Sequence, residues 1–341
     1  MGNRIAIFGA SGYAGGELVR LVDAHPSMEI GYLGAHSRSG SELREVHPHL
    51  PGGNRELGSL NPDRAQGMDL AFLALPHGAS ALLASELAEM GVAVVDLGSD
   101  FRMDTPQRYR EAYGADHPLP EQLSGWVYGL PELFRDRIIG ASRVAAPGCY
   151  PTAASLALAP LAAAGVIELE GIVVNAVSGI SGAGRGVKSE LLFGSIDESV
   201  SAYAVGTHRH RPEMEQVLDD MTGGTSSLSF TPHLVPMQRG LLATCHAKTS
   251  RDTSEVLEVL HAAYGNEPFV EVVDAPPATR WVVGSNRCLI HAVVDSHTSS
   301  VVVVSVIDNL MKGAAGQAIQ CANLMLGNPE DSGLPLAGWM P

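Results

Sequence analysis

The stretch that decides the fold is Arg4-Ile5-Ala6-Ile7-Phe8-Gly9-Ala10-Ser11-Gly12-Tyr13-Ala14-Gly15-Gly16. An apolar run that reads as a buried strand enters a turn with glycine at every third position, and a helical pattern over residues 17–23 follows. Strand, glycine turn and helix in that order open a dinucleotide-binding unit. Small residues let backbone N–H groups reach a pyrophosphate at the helix N-terminus. The spacing differs by one position from the strict G-x-G-x-x-G pattern, and glycine turns also join strands to helices for packing reasons. The neighbouring segments must carry the reading.

They do. Residues 30–35, 69–75 and 92–96 read as further strands, with a helix over 79–90. Such alternation builds a doubly wound parallel sheet, with the ligand crevice at the carboxyl ends of its strands. Leu75-Pro76-His77-Gly78 and Ser99-Asp100-Phe101-Arg102 fall at those ends. Arg102 is a candidate clamp for a substrate carboxylate or phosphate, weighed against a surface ion pair. After the second strand, an NAD site carries an acid for the ribose 2′-hydroxyl. Here the sequence is His36-Ser37-Arg38-Ser39-Gly40, so Ser37 and Arg38 point to the 2′-phosphate of NADP. Residues 103–146 read as irregular, apart from the strand that feeds the next motif.

That motif is Ala145-Ala146-Pro147-Gly148-Cys149-Tyr150-Pro151-Thr152, followed by an Ala/Leu helix pattern over 153–161. Pro151 suits a first helical turn, so Cys149 is expected among unpaired N–H groups at the positive end of a helix dipole. A free thiol titrates near ~8.5, and a helix N-terminus lowers that value. The bland alternative is a buried, inert cysteine. Gly148 and the flanking prolines favour an exposed turn, which makes Cys149 a candidate nucleophile.

A β run over 171–177 leads into Ser178-Gly179-Ile180-Ser181-Gly182-Ala183-Gly184-Arg185-Gly186, a loop of N–H and hydroxyl donors with one cation, suited to an oxyanion or phosphate. Thr207-His208-Arg209-His210-Arg211-Pro212-Glu213 then opens a helix over 214–221. A thiol nucleophile needs a proton donor and acceptor near neutral pH, and imidazole supplies both. His210 lies closer to the helix start and is preferred over His208, with Pro212 and Glu213 holding the pair in place. Strand-like runs over 227–235, 241–249, 270–273, 288–294 and 301–306, with a helix over 253–264, suggest a largely antiparallel sheet covered by helices. Arg239, between two of those strands, is a further ligand candidate. Asp308-Asn309-Leu310-Met311-Lys312-Gly313 opens a last helix running to residue 326, and Asn309 or Lys312 is expected to reach the nicotinamide end of the cofactor. The fold class is therefore α/β, a Rossmann-type doubly wound sheet plus an α+β substrate and dimerisation domain. The expected domains are 1–148, completed by 309–341, and 149–308.

Composition narrows the function. A net charge of −15 without any Lys/Arg-rich run argues against a nucleic-acid partner. Cysteines 149, 245, 288 and 321 form no CxxC pair, which argues against a zinc site or disulfide framework; the last three read as packing residues. No metal is expected. The apolar runs 156–167 and 301–307 are too short to span a bilayer, and Pro160 interrupts the first. The chain runs directly into its first strand without a signal pattern, which suits a protein of a reducing compartment.

Taken together, Gly9-Ala-Ser-Gly-Tyr-Ala-Gly15, Leu75-Pro-His-Gly78, Ser99-Asp-Phe-Arg102, Pro147-Gly-Cys-Tyr-Pro-Thr152, Ser178-Gly-Ile-Ser-Gly-Ala-Gly-Arg185, His208-Arg-His-Arg-Pro-Glu213 and Asp308-Asn-Leu-Met-Lys-Gly313 closely resemble the N-acetyl-γ-glutamyl-phosphate reductase family, over essentially the whole chain. The resemblance implies a cytoplasmic NADP-dependent homodimer or homotetramer of the arginine pathway, with Cys149 as nucleophile and one of His208 and His210 as acid/base. It implies relatedness to aspartate-semialdehyde dehydrogenase. The cofactor residues expected are Gly9, Ser11, Gly12, Tyr13, Ala14, Gly15, Ser37, Arg38, Leu75, Pro76, Ser178, Gly179 and Asn309. Those expected at the acyl phosphate substrate are Arg102, Ser181, Arg185, Glu213 and Arg239. Two other readings stay open: a reductase of a carrier-protein-linked aminoadipate phosphate in lysine biosynthesis, and a non-catalytic NADP-binding regulator.

Overall fold

Ile5, Ala6, Ile7 and Phe8 are fully buried, as a strand covered on both faces requires. In the computed structural model, which describes residues 2–340, they lie in β1 (Asn3–Phe8). With β2 (Met28–Gly34), β3 (Leu70–Leu73), β4 (Ala93–Asp96), β5 (Val127–Tyr128) and β6 (Arg143–Ala145), it forms a parallel sheet of order β2-β1-β3-β4-β6-β5. The helices of this part are α1 (Tyr13–Asp23), α2 (Leu43–Val46), α3 (Ala81–Glu89), α4 (Pro106–Tyr113) and α5 (Pro131–Ile138). Residues 103–146 are thus more regular than their composition suggests. The last two strands are only two and three residues long, and α4 buries a single side chain, Tyr109, so none of these elements shows a periodic apolar pattern.

The later strands are β7 (Ile172–Gly179), β8 (Ser201–Ala202), β9 (Leu228–Val235), β10 (Leu241–Lys248), β11 (Val270–Val272), β12 (Cys288–Asp295) and β13 (Ser300–Ile307). They form one sheet in the order β11-β12-β13-β10-β7-β9-β8. Its pairs are antiparallel except β7 with β9 and β11 with β12. The helices here are α6 (Cys149–Ala163), α7 (Phe193–Ile196), α8 (His210–Thr222) and α9 (Thr253–Tyr264). α6 packs against α8, α9, β10 and β13 and is buried nearly all round, which its alanines permit.

Pro160 lies inside α6 without ending it. A proline lacks the N–H that would bond the carbonyl four residues back, at Leu156. The Tyr264 hydroxyl of α9 donates to that carbonyl instead, at 2.6 Å. The helix therefore continues with its acceptor satisfied.

Two compact units result. One comprises the chain up to Arg110, Ala115–Pro147 and Ala314–Leu334, including α10 (Gly316–Leu326). The other comprises Glu111–Gly114, Gly148–Gly313 and the chain from Pro335 onward. Met1 and Pro341, the outermost positions of the expected domains, lie outside the described residues. Among the described residues, no helix is long and apolar enough to cross a membrane.

Candidate active site

In the first unit, Gly9 has φ +89°, and a Cβ there would lie 2.2 Å from the Ala74 carbonyl oxygen. A Cβ on Gly15 would lie 2.1 Å from the Gly9 carbonyl oxygen. Both glycines are required by backbone approach. Gly12 is the N-cap of α1; among the described residues no side chain caps that end and no acid sits in its first turn. The helix starts at Tyr13 and not at residue 17, so its first turn follows directly on the glycine turn, with no acid in that turn among the described residues. This is a cradle for an anion such as a pyrophosphate. Ser37 and Arg38 lie exposed in the loop after β2.

The loops after β3 and β4, which hold Leu75 and Pro76, are locked together by buried carboxylates. Asp100 accepts the N–H groups of Gly78, Ser80 and Ala81 at 2.7, 3.0 and 3.0 Å, and His77 Nδ1 lies 3.2 Å from its Oδ1. Ser80 Oγ stands 2.8 Å from Asp96 Oδ2 and 2.9 Å from Asp100 Oδ2. One hydroxyl hydrogen cannot serve both acids, so a second proton belongs to the cluster. Burial, reinforced by the charge of Asp100, raises the Asp96 carboxyl to about 7 against the opposing Ser80 hydrogen bond. Arg102 is buried here, its Nε donating to the Ala146 carbonyl (2.9 Å) and an Nη to the Leu97 carbonyl (2.8 Å). Those donors tie strand ends together, where the sequence suggested a substrate clamp or a surface ion pair.

In the second unit, Cys149 is the first residue of α6, four positions before the predicted start, and is half-buried. Gly148 is its N-cap, and the Gly148 N–H donates to Oε1 of the fully buried Glu213 at 2.8 Å. The expected substrate ligand Glu213 thus spends one carboxylate oxygen on the turn that carries the thiol. Gly313 closes in from another side. The helix expected to open at residue 308 begins at Met311 with a π-turn, Met311–Ala315, and a Cβ on Gly313 would lie 2.8 Å from Cys149 Cβ.

Cys149, His208 and His210 line one cavity of about 730 Å³, together with Tyr150, Ser178, Lys188 and Tyr203. The imidazole centroids of His208 and His210 are 4.7 Å apart, edge to face. The His210 backbone N–H donates to His208 Nδ1 at 3.1 Å, so that nitrogen keeps a lone pair and any ring proton sits on Nε2. Burial, with Arg209 beside it, pushes His208 down to about 4. Burial likewise raises Tyr150 well above the usual phenol range and Tyr203 to about 12, so both hydroxyls stay protonated near neutral pH. The Tyr203 hydroxyl donates to that of Tyr150 at 3.1 Å. The sequence singled out neither tyrosine; Tyr150 stands beside the cysteine, and that adjacency was the available signal.

The remaining expected residues brace the glycine-rich loop. The Asn309 amide donates to Ser181 Oγ (2.9 Å) and accepts the Gly240 N–H (2.9 Å). Gly179 donates its N–H to the Gly240 carbonyl at 2.9 Å. Arg239 lies 3.5 Å from the buried Asp308 carboxylate and stacks over Trp339. Lys312 is fully buried, its Nζ 5.9 Å from the Phe269 ring centroid. Asn309, Lys312 and Arg239 are thus engaged within this unit, and Arg185 is exposed at the loop's end.

Residues 4–141 match the NAD binding domain of semialdehyde dehydrogenase, and residues 149–309 match its dimerisation domain. A structure of aspartate semialdehyde dehydrogenase II from Vibrio cholerae superimposes with a TM-score of 0.74 at 20% identity, over 96% of this chain and 99% of that one. One of aspartate semialdehyde dehydrogenase with NADP from Candida albicans gives 0.73 at 16% identity, over 96% and 99%. These share the fold. An N-acetyl-γ-glutamyl-phosphate reductase from Symbiobacterium thermophilum is 48% identical over 98% of both chains. One from Frankia casuarinae is 48% identical over the full length of both. With identity of this order over essentially the whole of both chains, the chain belongs to the N-acetyl-γ-glutamyl-phosphate reductase family.

Proposed function

We propose that this protein reduces N-acetyl-γ-glutamyl phosphate to N-acetylglutamate 5-semialdehyde and phosphate with NADPH, for arginine biosynthesis, as a cytoplasmic homodimer or homotetramer. The observation that carries the reading is Cys149 at the first position of α6, in one cavity with His208 and His210. Gly9, Ser11, Gly12, Tyr13, Ala14 and Gly15 would hold the pyrophosphate, and Ser37 with Arg38 the 2′-phosphate. The side-chain-free cradle at Gly9 and Gly15 fits that ligand.

Cys149 attacks the acyl carbonyl as thiolate. The carbonyl oxygen takes the electron pair, then returns it as phosphate leaves, and a thioester on Cys149 remains. Backbone N–H groups at the start of α6 face the developing oxyanion, where one donor is worth ~3 kcal/mol. When bound, NADPH supplies the hydride that reduces the acyl group. His210 holds a proton against the resulting oxyanion and takes it back as the carbon–sulfur bond breaks, releasing aldehyde and thiolate. His208, its Nδ1 committed to a backbone N–H, is neutral at pH 7 and offers only an Nε2–H donor. That division of labour supports His210 as the acid/base. Arg185, Ser181 and Ser178 lie on the loop that would receive phosphate.

The test runs the reaction backwards. Enzyme, phosphate, NADP and N-acetylglutamate 5-semialdehyde should produce NADPH absorbance; no absorbance would overturn the proposal. Turnover of the carrier-linked aminoadipate analogue alone would replace it.

A further inference from the structure

His47 belongs to none of the motifs that point to function, yet its ring meets the glycine turn of the first unit directly. It is buried at the C-cap of α2. Its Nε2 lies 2.9 Å from the Ala10 carbonyl oxygen, inside the turn between β1 and α1. A carbonyl oxygen accepts and never donates, so the proton is on Nε2 and the imidazole is the donor. The ring also lies against the first turn of α1. A Cβ on Gly16 would stand 2.4 Å from His47 Cε1 and 2.8 Å from each ring nitrogen, so the absence of a side chain at 16 is what admits the ring.

Donor and acceptor are both held by their own backbones. The His47 N–H donates to the Leu43 carbonyl at 2.7 Å, and the His47 carbonyl accepts the Leu50 N–H at 3.1 Å. Leu43, Val46 and Leu50 are buried, so the imidazole rests on an anchored segment. In the turn, the N–H groups of Gly9 and Ala10 donate to the Gly34 carbonyl at 2.9 and 3.0 Å, and that of Gly12 donates to the Gly9 carbonyl at 3.0 Å. The peptide joining Ala10 to Ser11 is planar and trans, so its N–H points opposite to its C=O. With the Ala10 carbonyl drawn to the buried imidazole, the Ser11 N–H is directed away from it. Ser11 and Gly12 are half-buried and Tyr13 is exposed, so the turn is reachable from solvent.

We propose that His47 is a positioning residue for the cofactor: its hydrogen bond to Ala10 sets the peptide that presents the Ser11 N–H to the pyrophosphate. The inference rests on the reading, given above, that this turn holds the pyrophosphate. A donor aimed in advance has little freedom left to lose when the anion arrives, and a charge-assisted hydrogen bond gains from that alignment. Without the imidazole proton the Ala10 carbonyl loses its buried partner, and the plane of the peptide is no longer fixed from that side.

The test compares binding of NADP with binding of 2′-AMP, which lacks the pyrophosphate. His47→Phe keeps the bulk of the ring and removes the donor, whereas His47→Gln keeps an N–H donor at a similar reach. In isothermal titration, His47→Phe should bind NADP about tenfold more weakly than wild type, the worth of one charge-assisted hydrogen bond, and His47→Gln should recover most of that loss. Affinity for 2′-AMP should be the same in wild type and both variants. Equal weakening of NADP and 2′-AMP would make His47 a packing residue and overturn the proposal, as would unchanged NADP binding in His47→Phe. A glutamine variant as weak as the phenylalanine one would overturn it too, since the donor would then not matter. Should His47→Phe misfold, magnetic resonance of wild type carrying isotope-labelled histidine decides. The His47 Nε2 proton signal should shift on adding NADP and stay in place on adding 2′-AMP; no shift with NADP, or the same shift with both, would contradict the proposal. Gly9→Ala separates the two layers of the argument. If it leaves NADP affinity unchanged, the pyrophosphate lies elsewhere and the reading of the turn falls together with this inference; a loss in Gly9→Ala with none in His47→Phe sinks the inference alone.

Discussion

The two glycine-capped helix starts, Gly12 before α1 and Gly148 before α6, use one backbone device for two purposes. Each follows a buried strand of the parallel sheet, and neither has a side-chain cap among the described residues. Around Gly12 the neighbours are backbone: Gly9 and Gly15 pack so closely that no Cβ fits, and no acid stands in the first turn of α1 among the described residues. Around Gly148 the neighbours are functional side chains. Glu213 grips its N–H, and Cys149 comes next, in one cavity with two histidines. A helix end walled by backbone suits a ligand that comes and goes. A helix end gripped from outside suits a nucleophile that must hold its place through bond making and breaking.

The sharpest way to break this comparison is Cys149→Ser. Turnover should fall roughly 10⁴-fold or more, since the covalent route is removed, while NADP binding by fluorescence titration stays unchanged. An appreciable residual rate would place the chemistry elsewhere. Gly9→Ala attacks the other helix start, forcing a Cβ against the Ala74 carbonyl at φ +89°. It should cost about 1–3 kcal/mol in chemical denaturation and raise the KM for NADP, with the Cys149 alkylation rate unaltered. Equal losses of cofactor affinity and thiol reactivity would show that the two sites are not separable.

These two contrasts also show what is legible in a sequence. The glycine turn, the cysteine turn and the histidine pair are local, and their spacing alone predicted strand, turn and helix. Elements without a local period escaped: β5 is a strand only because the sheet pairs it with β6, and α4 buries a single side chain. Equally illegible were the polar groups satisfied across long stretches of chain. Tyr264 rescues α6 at Pro160, Glu213 holds Gly148, and Asn309 bridges Ser181 and Gly240. Arg102 read as a substrate clamp or a surface ion pair, and the carbonyls of Leu97 and Ala146 that take two of its donors come together only after folding.

Smaller effects sharpen the cofactor side. Arg38→Ala should raise the KM for NADP about tenfold, the worth of one charge-assisted contact, and leave that for NAD nearly unchanged. Equal shifts for both cofactors would remove Arg38 from 2′-phosphate recognition. Asp96→Asn should alter only the pH dependence of stability. The Asp96 pKa is raised on folding from 3.8 to about 7, so the native state binds the extra proton between those values. Stability from that source is complete below pH 3.8 and lost as pH rises through about 7. Asparagine can accept from Gly98 and donate to Ser80 at every pH, so the decline in melting temperature over that window should flatten. An unchanged slope would place the proton on another group.

The central claim is that the thiol at the start of α6 carries the acyl group. Mixing the enzyme with N-acetyl-γ-glutamyl phosphate in the absence of NADPH, quenching in acid and weighing the peptides tests it directly. The account predicts the mass of one N-acetylglutamyl group on the peptide containing Cys149, discharged when NADPH is added before the quench. An enzyme that turns over yet never carries that mass on Cys149 would contradict it.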